Sequence, residues 1–380
     1  MTSQTYDKLA KVLRRPENHE TYRRSLNVGM KHYRKGNFDD ARPFLTAAYN
    51  YYFPRRDEDS EEFFQSALGM GMLEKACSNI TAACGYLTLA LQYSHAAADY
   101  LKIMLYIHLA EVLNDINESE SALNYLTQAR KLFFLLPSKQ QQLSQHQLGE
   151  IYLIRGRSLR RLPSAQNAKA LVCLEKSLNC LPKNSKKWAE AHWEAGLTRL
   201  DDRQYENALS DLLDAWWAFD GFSDPVSEHS KVTLSGLMGT CFFHLSQWDE
   251  AIHWLNEHGE RSNDASSPLH DQLTALLIKG ICHFRSGNIS QAEADITLAC
   301  SCYPETTVNN TDREKIKTIF KNIGISDLLT EKKLPLSVRD MLRQVIRSLN
   351  KKHIDPPCFS ETGDTEDFSP STLHSPAPTC

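Results

Sequence analysis

The sequence has no run of apolar residues approaching the roughly 18 that a membrane-spanning helix needs. Its first twenty residues are polar and lack the apolar stretch of a signal peptide. The chain also lacks an excess of positive charge, because 43 basic residues stand against 47 acidic ones and the net charge is −4. These absences predict a cytoplasmic or nuclear protein without a membrane span, and they argue against nucleic acid as a partner.

Motifs for catalysis or metal binding are also missing. The ten cysteines include no Cys-x-x-Cys pair, and most lie in predicted helices as small apolar residues. The segment Gly69-Met70-Gly71 lacks the third glycine and the preceding strand of a phosphate-binding loop, and His253 and His258 are five rather than four positions apart. We therefore predict a non-enzymatic protein with no catalytic residue, no bound metal and no cofactor.

The sequence does contain a spacing pattern that recurs seven times. In each copy a small residue, here called the landmark residue, is followed by an alanine, then by an aliphatic residue four positions later. The landmark residue and the alanine are twelve positions apart in every copy except the fourth, which has two additional residues. The landmark residues are Gly29, Gly71, Ala110, Gly156, Gly196, Gly239 and Gly280, the alanines are Ala41, Ala83, Ala122, Ala170, Ala208, Ala251 and Ala292, and the aliphatic residues are Leu45, Leu87, Leu126, Leu174, Leu212, Leu255 and Ile296.

A further small residue usually follows three positions after the aliphatic residue. Six copies have such a residue, and in the sixth copy along the chain His258 takes its place. The small residues are Ala48, Ala90, Ala129, Ser177, Ala215 and Ala299. Apolar residues recur every three or four positions on both sides of a short polar turn, as in the turn at residues 35–41. This periodicity predicts two amphipathic helices per copy, with the small landmark residue meeting the alanine of the second helix where the two cross.

The pattern resembles the tetratricopeptide repeat (TPR), a helix-turn-helix unit with Gly or Ala in its first helix, Ala in its second and Pro near its end. Pro54, Pro137, Pro182 and Pro304 stand at or near that terminal position. The landmark residues are about 40 positions apart rather than the usual 34, which implies lengthened repeats. The resemblance implies an all-α, right-handed superhelical solenoid of TPR-like hairpins with a helical C-terminal cap.

Composition divides the chain into four segments. Residues 1–21 form a basic leader with a predicted helix over Tyr6 to Leu13, and residues 22–304 form the array of about seven repeats. Residues 305–353 are predicted to be a basic helical cap, because the end of a solenoid needs a polar outer face. Residues 354–380 are acidic and rich in Ser and Pro, which predicts a disordered tail.

The resemblance also implies where a partner would bind. In TPR solenoids the first helices line a concave groove, and residues one and four positions after the landmark residue point into it. Trp193, three positions before the landmark residue Gly196, joins them. The candidate groove residues are Met30, Tyr33, Asn114, Arg157, Arg160, Trp193, Phe243 and Phe284. Aromatic residues and Arg are the types that most often anchor interfaces. The alternative for Phe243 and Phe284 is that they pack between neighbouring repeats.

Arg157 and Arg160 belong to a basic stretch that continues to Lys187, and an acidic peptide could dock there through charge-assisted contacts. The alternative is that this stretch is a solvated face. The sequence thus favours an intracellular protein-protein interaction scaffold or adaptor that binds partner peptides in its groove. A second hypothesis is a regulatory subunit of a larger enzyme, motor or ciliary complex, with the basic cap and acidic tail controlling docking. The sequence indicates no oligomeric state.

Overall fold

The computed structural model describes residues 19–262, 269–301 and 314–350, apart from positions 315, 319, 322 and 333. The predicted leader helix over Tyr6 to Leu13 and the predicted tail 354–380 lie outside these residues. Within the described ranges the regular structure is helical and there is no strand. None of the helices there combines the length and apolarity of a bilayer-spanning segment.

Seven helical hairpins follow one another along the chain. In order they are α1–α2 (His19–Arg34, Phe38–Tyr52), α3–α4 (Ser60–Ala76, Ile80–Gln92) and α5–α6 (Asp99–Asp115, Ser119–Leu135), then, after the short α7 (Ser138–Leu143), α8–α9 (Gln145–Arg161, Asn167–Cys180), α10–α11 (Lys186–Asp201, Tyr205–Asp220), α12–α13 (Pro225–His244, Trp248–Ser262) and α14–α15 (Leu269–Arg285, Ile289–Ser301). Helix α16 (Ile325–Leu328) and helix α17 (Leu336–Asn350) follow the array. The predicted all-α solenoid of helix-turn-helix units is confirmed.

The same turn closes six of the seven hairpins. The residue seven positions after the landmark residue has a positive φ, and its N–H donates to the carbonyl three residues earlier, as from Gly36 to Tyr33 at 2.9 Å. The next N–H bridges back five residues, as from Asn37 to His32 at 3.1 Å. This pair of hydrogen bonds is the Schellman motif, which satisfies the last carbonyls of the first helix. The left-handed residues are Gly36, Ser78, Asn117, Arg203, Ser246 and Gly287.

The landmark glycines lie where the two helices of a hairpin cross, but their partner differs from the prediction. A Cβ placed on Gly239 would lie 2.6 Å from Leu255 Cγ and 3.4 Å from the carbonyl oxygen of Ala251. Equivalent contacts with the aliphatic residue occur in all six hairpins that carry a landmark glycine. The glycine therefore makes room for the aliphatic side chain, whereas the alanine, buried in each hairpin, contributes its carbonyl or stands nearby.

Beyond the hairpins, the last described residues cover the end of the array. Ile316, Phe320 and Val338 are buried in one cluster with Ile296 of α15, so the segment after the seventh hairpin shares its core. The division into a leader, an array, a cap and a tail remains a prediction, because residues 1–18 and 354–380 are not described.

Candidate functional site

The first helices of successive hairpins form the inner face of the solenoid. Helix α1 contacts α3, α3 contacts α5, α5 contacts α8, α8 contacts α10, and α12 contacts α14. The second helices behave differently. Each one packs on the first helix of the next hairpin, and among the described helices the second helices of neighbouring hairpins make no comparable contact with each other. An array whose first helices approach one another more closely than its second helices curves toward the first helices, which places them on the concave side.

Charged side chains of both signs run along the centre of this face. We call them the central charge network, and it consists of Lys75, His108, Glu111, Arg157, Arg160, Lys187, Glu190, Glu194 and Asp201. They come from four first helices, α3, α5, α8 and α10. The network therefore links four consecutive hairpins through side chains on their inner surfaces.

Glu111 is the hub of one half of the network. Its carboxylate accepts hydrogen bonds from Lys75 and, at 3.0 Å, from Lys187 Nζ, and it lies 3.1 Å from His108 Nδ1. Lys187 reaches it from a helix two hairpins further along the chain, which is geometrically feasible only because the array curves. Burial alone would raise the pKa of Glu111, but Lys187, Lys75 and His108 outweigh it and hold that pKa well below the usual value.

Glu194 is the hub of the other half. Arg157 Nε donates to it at 2.5 Å and Arg160 Nη2 at 3.1 Å. Burial opposes ionisation, yet the two arginines lower the pKa of Glu194. The remaining contacts of these arginines are longer, since Arg157 Nη2 lies 3.5 Å from Glu190 and Arg160 Nη1 lies 3.5 Å from Asp201.

Glu150, on the same helix as the two arginines, has the opposite behaviour. Burial, together with the charges of Glu111 and Glu190, raises its pKa to about 7, although Lys187 and Lys75 act against this rise. The groove centre therefore holds one carboxyl group that changes charge near neutral pH.

Two of the predicted groove residues are interior. Asn114 is 1% exposed, and its amide donates to Ser158 Oγ at 2.8 Å while Ser119 Oγ donates to it at 3.1 Å. Its side chain thus joins α5 to α8 and to the first residue of α6. Phe284 is 8% exposed and packs in the hydrophobic cluster of the last hairpins.

The other predicted residues are partly exposed. Met30 and Tyr33 lie against the N-terminal core cluster, where burial and the charge of Glu111 raise the pKa of Tyr33 to about 12. Trp193 packs edge-on to Phe219 with ring centroids 6.4 Å apart, and Phe243 lies 5.9 Å from the ring of Trp248. Met30 and Tyr33 therefore precede the network along the chain and Phe243 follows it, whereas Trp193 stands on α10 between Glu190 and Glu194.

The sequence pattern missed several members of the network. His108 and Glu194 stand two positions before the landmark residue, and Glu190 stands six before it, so all three lie one or two helical turns upstream of the positions considered. Extending the rule backwards by three residues would have found His108 and Glu194, and extending it by seven residues would have found Glu190, because residues at these spacings share a helix face.

Three side chains elsewhere are of the types that can bind a metal ion. His19 Nε2 lies 3.3 Å from Glu62 and 3.9 Å from Asp59 at the N-terminal end of the array. Ion pairing between a histidine and two carboxylates accounts for this arrangement without a cation.

No protein-family model matches the sequence, and no curated protein matches it. Solved structures do match. The signal transduction ATPase with a tetratricopeptide repeat sensor from Pyrococcus horikoshii aligns over 88% of this chain and 53% of its own, at 14% identity and a TM-score of 0.59. Cut9 with Hcn1 from the APC/C aligns over 84% of this chain and 52% of its own, at 14% identity and a TM-score of 0.54. NprR in complex with its cognate peptide NprX aligns over 88% of this chain and 100% of its own, at 11% identity and a TM-score of 0.51.

At these identities the matches establish the fold alone, which is that of a TPR solenoid. The resemblance inferred from the spacing of small residues is thereby confirmed at the level of the fold. The chain spans about half the length of the ATPase and of the Cut9 structure, whereas it spans the whole of NprR.

Proposed function

We propose that this chain is a non-enzymatic scaffold or adaptor of the cytoplasm that captures a segment of a partner protein on its inner face. The observation that carries the proposal is the central charge network, which offers partly exposed donors and acceptors on four adjacent hairpins. A preformed surface of this kind loses little conformational entropy when a peptide binds. A similar solved structure supports it, since NprR is found in complex with its cognate peptide NprX.

The network makes an acidic segment the most suitable partner at Arg157 and Arg160. The network holds four cations (Lys75, Lys187, Arg157, Arg160) and four carboxylates (Glu111, Glu190, Glu194, Asp201), so affinity would arise from exchange of ion pairs rather than from net attraction. The pair most easily exchanged is Arg160 with Asp201. Its atoms are 3.5 Å apart, the Asp201 side chain is 50% exposed, and burial raises the pKa of that carboxyl despite Arg160. A partner carboxylate would replace Asp201.

Three variants test this exchange. Asp201→Asn releases Arg160 without opening the core and should strengthen capture of acidic segments several-fold. Arg160→Gln removes a charge-assisted hydrogen bond and should weaken capture by about tenfold to a hundredfold. Arg130→Gln, on the exposed side of the second helix α6, changes the same charge away from the inner face and serves as the control.

The readout is quantitative affinity purification with each tagged variant, followed by peptide titration for the captured partner. Circular dichroism and thermal unfolding show whether each variant retains its helices. If all three variants capture the same proteins in the same amounts as the unchanged chain, the inner face is not the binding surface.

The regulatory hypothesis has its own support. Arg343 and Arg347 are exposed on α17, only a few residues before the segment 354–380, which contains acidic residues and no Lys or Arg. Phosphorylation at Ser369-Pro370 or Ser375-Pro376 would add negative charge to that segment. Removing residues 354–380 should then alter the salt dependence of partner binding, and unchanged binding curves would favour the simple scaffold.

A further inference from the structure

The sixth hairpin differs from the others by a paired change of residue size. Three positions before the landmark residue, the other hairpins carry a large apolar side chain, and three positions after the aliphatic residue they carry a small one. The sixth hairpin has Gly236 at the first position and His258 at the second. The large residues elsewhere are Leu26, Leu68, Ile107, Leu153, Trp193 and Leu277. The imidazole occupies the space next to the missing side chain, since a Cβ on Gly236 would lie 3.2 Å from His258 Nδ1.

This exchange puts an imidazole where apolar packing is usual. His258 is 5% exposed, and its Nδ1 lies 2.8 Å from the carbonyl oxygen of Val232, to which it donates. The Nε2 atom is buried and has no hydrogen-bond partner among the residues that the structure describes. In the neutral ring with a proton on Nδ1, Nε2 is an acceptor. A buried acceptor without a donor is unfavourable, and native proteins seldom leave one unsatisfied.

Open space borders this imidazole on two sides. A cleft of about 220 Å³ lies between α12 and α14 and is lined by Leu237, Thr240 and Thr274 among others, while a cleft of about 410 Å³ extends between α13 and α14 toward Leu298. His258, Leu255 and Ala275 line both clefts. Helices α12 and α14 are both first helices, so the smaller cleft opens on the inner face.

The chemistry of the smaller cleft selects its occupant. Its walls combine apolar groups with threonine hydroxyls and the imidazole of His229, and among the described side chains that line it there is no carboxylate or lysine. A charged side chain would find no permanently charged partner among the described lining residues, and an aliphatic one would bring no donor for Nε2. A tyrosine side chain has an apolar ring and one hydroxyl that can donate, and it is neutral at pH 7.

We propose that His258 and Gly236 form a specificity pocket that receives a tyrosine side chain of the bound partner segment, with the phenol hydroxyl donating to His258 Nε2. This inference deepens the proposed function, on which its assignment to a partner segment rests. The pocket itself can be tested without knowing the partner, because 4-methylphenol is the side chain of tyrosine as a free molecule.

The test is a ligand-observed NMR titration of the full chain with 4-methylphenol and with toluene, which lacks the hydroxyl. The unchanged chain should bind 4-methylphenol about tenfold more tightly than toluene, as expected for one hydrogen bond. His258→Phe retains a ring but removes the acceptor, so the preference should disappear. The double variant Gly236→Leu with His258→Ala restores the pairing seen at Leu26 and Ala48, fills the cleft and should bind neither compound.

Three results would overturn the pocket. They are equal binding of the two compounds by the unchanged chain, no binding of either, or unaltered binding of 4-methylphenol by the double variant. Because that variant follows the other hairpins, it is expected to fold, and thermal unfolding verifies this. If the pocket fails while Asp201→Asn still strengthens partner capture, only this inference falls. If 4-methylphenol binds but no variant alters capture, the pocket stands and the groove proposal falls.

Discussion

Replacing a landmark glycine by alanine tests whether the two helices of a hairpin cross closely at that residue. A clash with the opposite helix would lower stability, whereas the higher helix preference of Ala would raise it. A Cβ on Gly71 would lie 2.6 Å from Leu87 Cγ, 2.7 Å from Leu87 Cδ2 and 3.3 Å from the Leu87 backbone nitrogen. Real Cβ atoms do not come within 3.0 Å of other atoms, so the Leu87 side chain, or the helix that carries it, must shift. Overpacking of this kind costs about 1–3 kcal/mol, while Ala is favoured over Gly inside a helix by about 1 kcal/mol. We expect Gly71→Ala to lower the free energy of unfolding by about 1 kcal/mol.

Gly85, in the second helix of the same hairpin, is the matched control. A Cβ there would meet no atom within 4 Å, so only the helix preference remains. Gly85→Ala should raise the free energy of unfolding by about 0.5–1 kcal/mol, and the two variants should differ by about 2 kcal/mol. Urea unfolding followed by far-UV circular dichroism measures both values, and their midpoints can be compared directly.

A double-mutant cycle identifies the clash. In a Leu87→Ala background, Gly71→Ala should be neutral or stabilising, because the atoms that it would meet are largely gone. If Gly71→Ala and Gly85→Ala stabilise the chain equally, the helices do not cross at this glycine and the explanation of the repeat pattern is wrong. The third hairpin carries the buried Ala110 at this position, so its helix crossing accommodates a Cβ.

Three further outcomes are expected. Arg203→Gly should raise the free energy of unfolding by about 1 kcal/mol in urea titrations, because Arg203 has a φ of 59° that only glycine adopts without cost, whereas Gly36→Ala should lower it. Glu150→Gln should leave the free energy of unfolding unchanged at pH 4 and raise it by up to about 3 kcal/mol at pH 8. The reason is that folding raises the pKa of Glu150 from 4.5 to about 7, so the unfolded chain releases its proton first. The unchanged chain therefore loses stability as the pH rises through that window. Lys187→Met should destabilise the chain more at pH 7 than at pH 3. Lys187 helps to lower the pKa of Glu111, so the stability that it contributes is present at pH 7 and declines as the pH falls toward that pKa. Equal losses of stability at both pH values would contradict the ion-pair role.

Local patterns account for most of what the sequence could predict. The landmark glycines, the alanines and the aliphatic residues recur because each hairpin solves the same packing problem, so their spacing reports the fold directly. The left-handed turns could be predicted less well from the sequence. Only Gly36 and Gly287 among the six left-handed residues are glycines, and Ser78 or Arg203 gives no comparable signal in a single sequence.

The candidate site depended on information that no single hairpin contains. Lys187 and Glu111 are 76 positions apart, and their contact follows from the curvature of the array, which accumulates over several repeats. Asn114 has the spacing of a groove residue, yet its amide turns to Ser158 and is buried, because neighbouring polar partners compete with solvent for it. The sequence does show the unusual pairing of Gly236 and His258, but the clefts that follow from it require coordinates.

The contacts between first helices are interrupted at one place. Helix α10 makes no contact with α12 comparable to those between the other neighbouring first helices, although α11 packs on α12. The central charge network lies before this interruption and His258 lies after it. A partner segment that used both would behave as a bivalent ligand, whose avidity is greatest when the peptide between its two anchors matches the distance that separates them. Lengthening or shortening that intervening peptide would then change affinity without altering a single contact.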